Sequence, residues 1–393
     1  MTEQCSKYID KIAENFFHSN IDYCGPGLLS GKSGISLFLF YYSRLSNKQE
    51  YANKAANIVE NIFKSVYLGF NFPTFCDGIF GYVWVIEHLI QNDFIDRNDF
   101  PFLDDLDVII YQQMIQQVKA SNWDFMHGSL GGGIYFLERL HRKQNIAYLE
   151  EFLLNLEKQS TKDGVFVKWM SNTKDGKIGC DLGLAHGVGS VIVFLSKLTT
   201  IKQISTRANE LLNGTIKYLL EQELPKKENR LDFPNYTFEG NLPPEIDGRK
   251  VGWCYGDLSR ATSLYQAGKA NSNSDLCNLA IKMLNESTEH RDLEKEEIKN
   301  PWLCHGTTGI AHIYNRIYIQ TNDLKFKLSS DYWFNQTFIM TDFINAIENF
   351  NVWNSNQHQE NEYGILGLSG VGLSLISKIA PSEVNWDRCL LLS

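Results

Sequence analysis

Cys304 and His305 are adjacent and offer a thiolate and an imidazole, the two side chains that zinc prefers. Two neighbours on one turn cannot close a tetrahedral site, so a third ligand must come from another part of the chain. Cys254 is the candidate, because it shares a local frame with Cys304: a Trp shortly before it and a Gly two places after, opening an apolar run. If the two frames hold equivalent places in neighbouring repeats, Cys254, Cys304 and His305 converge. Three protein ligands would leave the fourth position open, as in a catalytic zinc centre. The competing reading is two buried thiols and a core histidine, and the repeated frame favours zinc over it.

Three histidines share one offset. His127, His186 and His305 directly precede Gly128, Gly187 and Gly306, which predicts that all three sit at the same end of their helices and face a common mouth. A helix N-terminus disfavours a charged imidazole, so His186 is expected to stay neutral and able to accept a proton. The alternative is a histidine that only bonds nearby backbone. Asp124, three residues before His127, suits either a helix cap or the carboxylate that orients a catalytic imidazole. Asp77, Asp181 and Asp257 are rivals for that role, and the sequence does not rank them.

The elements that must position these groups are repeats. Seven segments carry Gly-x-x-Gly or Gly-x-x-Ser ahead of an apolar run, starting at Gly31, Gly78, Gly128, Gly187, Gly256, Gly306 and Gly367. Adjacent starts are separated by about fifty to seventy residues, room for two helices and their loops. Runs such as Ile35–Phe40, Tyr82–Ile86 and Val191–Leu195 are apolar nearly all round and predict inner helices. Between them, 51–67 carries Ala52, Ala55, Ile58, Val59, Ile62, Phe63 and Val66 on one face, and Lys54, Asn57, Glu60 and Lys64 on another. Stretches near 103–119, 148–158, 203–221 and 275–288 read alike, as outer helices. Seven inner and seven outer helices closed in a ring make an all-α protein, an α/α toroid (barrel), in a single domain over 1–393. Closure follows from the repeat count and from the need for distant cysteines to meet; periodicity alone also allows an open solenoid. Two stretches break the rhythm. A short hairpin is expected near 163–180, with turns at Asp163-Gly164 and Asp175-Gly176, and a Pro-rich loop at 225–250 is expected to be either a lid or a plain insertion.

The bulk composition narrows the classes. With 43% hydrophobic and 13% aromatic residues, the 393-residue chain is a folded globular protein. A net charge of -9 argues against nucleic acid or an anionic membrane as the main partner. The N-terminal residues lack the apolar core of a signal peptide, and no uncharged stretch reaches membrane-spanning length, so the cytoplasm is the expected location. Cys5, Cys24, Cys76, Cys180, Cys277 and Cys389 are expected to be reduced and mostly buried.

At Trp253-Cys254-Tyr255-Gly256, Cys304-His305-Gly306, Ala185-His186-Gly187 and the run from Gly367 to Leu373, the chain resembles the lanthionine synthetase C family, the cyclases of lantibiotic biosynthesis. The resemblance extends through all seven glycine frames. It implies an α/α toroid with one zinc on Cys254, Cys304 and His305, a catalytic His186, an acid/base or orienting Asp124 and an active-site Tyr255. It also implies an activity: addition of peptide Cys thiols to dehydroalanine or dehydrobutyrine, giving lanthionine or methyllanthionine rings in a dehydrated precursor peptide of leader plus core. A separate dehydratase and an exporter would be its partners. Two departures stand out. Ser190 and Ser259 replace the second glycine of their frames, and Lys250 stands where the family carries an Arg, with Arg249 beside it. Lys keeps the charge but loses the planar fork.

In that chemistry a zinc-bound substrate thiol reacts as its thiolate, attack at the β-carbon makes an enolate, and His186 oriented by Asp124 returns a proton to the α-carbon. Three rivals remain: addition of glutathione to dehydroamino acids on the same zinc, a non-catalytic zinc toroid that binds peptides, and a glycan-active α/α toroid. The last would need a carboxylate pair and leaves Cys254 and Cys304 unexplained.

Overall fold

The computed structural model describes residues 1–173, 176–226, 231–240, 242–245, 248, 250–350, 363–383 and 385–393. In chain order the helices are α1 (Thr2–His18), α2 (Lys32–Ser46), α3 (Gln49–Tyr67), α4 (Ile79–Gln91), α5 (Leu103–Lys119), α6 (Ser129–Glu138) and α7 (Lys143–Lys158). They continue as α8 (Val188–Leu198), α9 (Ser205–Glu221), α10 (Asp257–Ala270), α11 (Ser274–Ser287), α12 (Thr307–Thr321), α13 (Leu324–Ile339), α14 (Thr341–Glu348) and α15 (Leu368–Ile379). Two 3-10 turns (Arg97–Asp99 and Asn385–Leu390) accompany them among the described residues, with five short strands: β1 (Thr161–Asp163), β2 (Phe166–Lys168), β3 (Ser171–Asn172), β4 (Ile178–Asp181) and β5 (Tyr236–Phe238). Among the described residues no helix is long and apolar enough to cross a membrane.

Each of the seven frame glycines is the N-cap of a helix, namely α2, α4, α6, α8, α10, α12 and α15. These helices bury nearly their whole circumference, as their all-round apolar character demands. The loop before each one folds back on the helix start. The first helical N–H of α2 donates to Gly25 (2.8 Å), that of α4 to Phe72 (2.8 Å), that of α6 to Asn122 (3.0 Å) and that of α12 to Asn300 (3.3 Å). Such a return forces backbone against backbone, and a Cβ on Gly306 would run into the Asn300 carbonyl. At Gly256 the constraint is dihedral, since φ is +103°, a region closed to L side chains. Where serine replaces the second glycine, the hydroxyl finds a local use. Ser190 Oγ donates to Gly187 O (2.7 Å) and Ser259 Oγ to Gly256 O (2.9 Å).

The chain divides into two compact units, Met1–Ile110 with Asn300–Cys389 and Tyr111–Lys299 with Leu390–Ser393. In the first, α2 packs on α3 and α12 on α13, an inner helix against the outer helix that follows it. The last inner helix, α15, packs on α1 and on α2. The loops ahead of these inner helices are stitched in series: Leu303 N–H donates to Leu366 O (3.0 Å), Leu366 N–H to Leu29 O (2.9 Å), and Leu29 N–H to Cys76 O (3.0 Å).

In the second unit α8 packs on α9, and α10 on both α11 and α8. The stretch near 163–180 forms two hairpins where the sequence suggested one. β2 pairs back onto β1 around Gly164, so it never meets β4. Trp169, fully buried with its indole N–H on Leu156 O (2.8 Å), fixes the chain between them. β3 pairs with β4 across the second turn, of which Asp175 lies outside the described residues. β5 comes from the Pro-rich 225–250 stretch and adds to β4 as a third antiparallel strand, with Asp181 opposite Tyr236. That stretch therefore carries a strand whose partner lies over fifty residues away, which no local pattern reveals.

Candidate active site

The second unit gathers most of the residues singled out for chemistry. Asp124 and His186, 62 positions apart, meet through a 2.6 Å hydrogen bond between Oδ2 and Nδ1. A carboxylate only accepts, which assigns the proton to Nδ1 and leaves Nε2 to exchange one. The other oxygen of Asp124 accepts the His127 backbone N–H at 2.6 Å, so the carboxylate is held from two sides. Asp124 thus ties down the loop ahead of α6 and partners the imidazole, while the helix cap itself is Gly128. The His127 ring lies nearly parallel to that of His186, centroids 5.7 Å apart, with His127 exposed and His186 partly buried.

Burial works to lower the His186 pKa, but the Asp124 hydrogen bond and charge, aided by Asp181 and Cys254, outweigh it and hold the imidazole above its usual value. The direction is opposite to the one that a helix terminus alone would impose. The ion-pair partner at 2.6 Å is nearer than the diffuse dipole and dominates.

Cys254 lies against the same loop. Its carbonyl accepts the N–H groups of Leu184 (3.0 Å) and Ala185 (3.4 Å), and its thiol side is buried. Trp253, fully buried, donates its indole N–H to Leu390 O at 2.9 Å and fixes the residue from behind. Tyr255 donates to Asp181 Oδ2 at 2.7 Å, and its oxygen lies 3.1 Å from the Tyr236 hydroxyl. Asp181 is buried and also accepts the Gly183 N–H at 2.7 Å. Burial pushes its carboxyl up against the pull of Tyr236, Tyr255 and Gly183, while burial and the Asp181 charge push the Tyr255 phenol up. Tyr255 is therefore a neutral donor. Tyr236 escaped the sequence reading altogether, since it belongs to no glycine frame; it arrives only through the pairing of β5 with β4.

Of the rival carboxylates, Asp257 serves structure: it accepts the backbone N–H groups of Asp232 (3.0 Å) and Phe233 (3.2 Å) and lies 3.7 Å from Arg260. Asp77, in the first unit, accepts from Ser30 Oγ. Lys250 is buried, its ammonium 3.3 Å from Asp232 and its N–H on Glu296 at 2.7 Å. Arg249 lies outside the described residues.

Cys304 and His305 belong to the first unit, at the start of α12. Cys304 is half-buried and His305 exposed, on a loop pinned by Leu303 N–H and by the Trp302 N–H to Asn300 Oδ1 at 3.0 Å. All eight cysteines are thiols, and the six outside the proposed ligand set are buried or, for Cys277, partly so. Cys254, Cys304 and His305 each offer one donor atom, two thiol sulfurs and an imidazole nitrogen, a set whose chemistry fits zinc.

Residues 24–391 match the model of the lanthionine synthetase C-like proteins, and the chain belongs to that family. Its structure is similar to that of a nisin cyclase, with a TM-score of 0.74 and 21% sequence identity over 99% of this chain and 98% of that one. That likeness shows the fold, an all-α α/α toroid. None of the curated proteins matches the sequence.

Proposed function

We propose that the protein is a zinc-dependent lanthipeptide cyclase, which adds Cys thiols of a dehydrated precursor peptide to dehydroalanine or dehydrobutyrine. The hydrogen bond between His186 and Asp124 carries this reading, because it is a poised acid/base pair in the unit that also supplies Cys254. Family membership supports the reaction class. The family match spans both units and supports one functional domain over 1–393.

In this proposal Cys254, Cys304 and His305 hold the zinc, which when bound lowers the pKa of a substrate thiol so that it reacts as thiolate. His186 takes up the thiol proton at Nε2, while Asp124 retains the Nδ1 proton and stabilises the imidazolium. The sulfur then bonds the β-carbon, the alkene π-pair moves onto the α-carbon as an enolate, and His186 Nε2 returns its proton there. Tyr255, kept neutral, would turn its single O–H from Asp181 to the enolate oxygen as charge develops. The step would take place in the cytoplasm, after a separate dehydratase and before an exporter.

The test is a pathway peptide carrying one dehydroalanine and one free Cys, incubated with and without excess glutathione. Ring closure should consume the alkylatable thiol without a glutathione adduct, because thiol and alkene share one chain. A dominant adduct would assign the protein to glutathione addition. Unchanged thiol in a bound, zinc-loaded complex would leave a peptide-binding toroid.

A further inference from the structure

In the first unit, a cavity of about 640 Å³ opens between α3 and the segment after α4. Its floor is Ala52, Ala56 and Val59, spaced four and three apart on one face of α3, where small side chains leave a channel. Phe40 and Phe94, ring centroids 5.7 Å apart, make one wall. Phe63 and Phe102, stacked at 4.0 Å, make the other. The lining runs along α3 from Gln49 to Phe63. At 1.5 Å per residue that is a groove of about 21 Å, the length of roughly six extended residues and more than one small molecule fills.

The rim is acidic. Glu60, Asp96 and Asp99 border the groove and are exposed, and among the described residues no Lys, Arg or His lines it. The cations nearby are committed: Lys64 to Glu60 at 2.9 Å, Arg97 to the buried Glu87 at 2.7 Å, and Arg44 to the face of Phe94. With Glu60 paired to Lys64, Asp96 and Asp99 leave the opening negative. Aromatic walls with a few charged groups at the edge are the usual make-up of a binding cleft.

We propose that this groove binds a basic peptide segment, which inserts apolar side chains between the two phenylalanine walls and sets Lys or Arg against Glu60, Asp96 and Asp99. The site is separate from the zinc ligands and does not depend on the cyclase reading.

The test is fluorescence anisotropy of the full chain with a dye-labelled hexapeptide alternating lysine with phenylalanine and leucine. Two control peptides replace lysine by glutamate or the apolar residues by serine. Saturable binding is expected for the first peptide alone. Ala56→Trp, which fills the floor from an exposed helical position, should weaken it by at least about tenfold. Glu60→Gln with Asp99→Asn should weaken it roughly threefold to tenfold and flatten its salt dependence. If Ala56→Trp fails to fold, the paired charge variant still decides. Unaltered binding by that pair, equal binding of the glutamate peptide, or no saturation at millimolar probe would each overturn the proposal. Zinc content, measured alongside, should stay at the parent value in both variants.

Discussion

The phenol of Tyr255 donates to Oδ2 of Asp181 at 2.7 Å, across 74 positions of sequence. Asp181 in turn is fixed by the Gly183 N–H and lies opposite Tyr236 in the β4–β5 ladder. Asp181→Asn keeps the volume but can turn an amide N–H toward a phenol that must donate. Turnover should fall by about tenfold or more, the order of one buried hydrogen bond, while zinc stoichiometry stays unchanged. Single-turnover kinetics beside metal analysis checks this, and an active, zinc-replete variant would remove Asp181 from the site.

The His186–Asp124 pair separates chemistry from coordination. Either His186→Ala or Asp124→Asn should cost roughly a hundredfold or more in ring formation. Both should keep zinc and peptide affinity. Loss of metal from the His186 variant would make that residue a ligand and dismantle the assignment.

Metal analysis of freshly purified protein should give about one zinc per chain. Cys304→Ala should lose most of it. The helical circular-dichroism signal should persist, because a core of this size does not depend on one metal as a zinc finger does. A zinc-free wild-type protein would sink the cyclase reading.

His88 supplies a pH dependence far from this chemistry. Its ring is fully buried, hydrogen-bonded to Tyr41 (2.9 Å) and stacked on Trp84. Burial first, then the charges of Arg388 and Arg44, push its pKa down from 6.5 to about 3. Between those values the unfolded chain binds a proton that the folded chain refuses, so stability is lost as the pH falls through this window. Asp257, raised by burial to about 6, works in the opposite direction between 3.8 and 6. Urea melts of wild type and His88→Gln at pH 7 and pH 4.5 should show the wild type losing about 2–3 kcal/mol more than the variant. Equal losses would mean that His88 is protonated in the fold.

What could be read from the chain was local. Gly31, Gly78, Gly187 and Gly306 mark helix starts because the feature they serve, a backbone carbonyl six residues back, lies within the same loop. The amphipathic face predicted for 51–67 buries Ala55, Ile58, Val59 and Ile62, while Ala52 and Phe63 go to the groove. Cys254, His186 and Asp124 were recognisable by type and offset. The partners of Tyr255 were less so: Asp181 stood among several rivals, and Tyr236 arrives only through long-range strand pairing. Helix α1 carries its own local signal, burying Cys5, Ile9, Ile12, Ala13 and Phe16 along one face, but its partner α15 comes from the far end of the sequence and no local pattern names it.

That packing of α15 on α1 has a consequence for synthesis. The first unit is made of two segments with the whole of Tyr111–Lys299 between them, so its core cannot close until the ribosome has released residues near 389. The second unit is nearly continuous and lacks only Leu390–Ser393. Its helices can pair as they emerge, whereas α1 to α4 must wait with apolar faces uncovered through much of translation. The nascent amino-terminal helices are thus the part of this protein most in need of a chaperone.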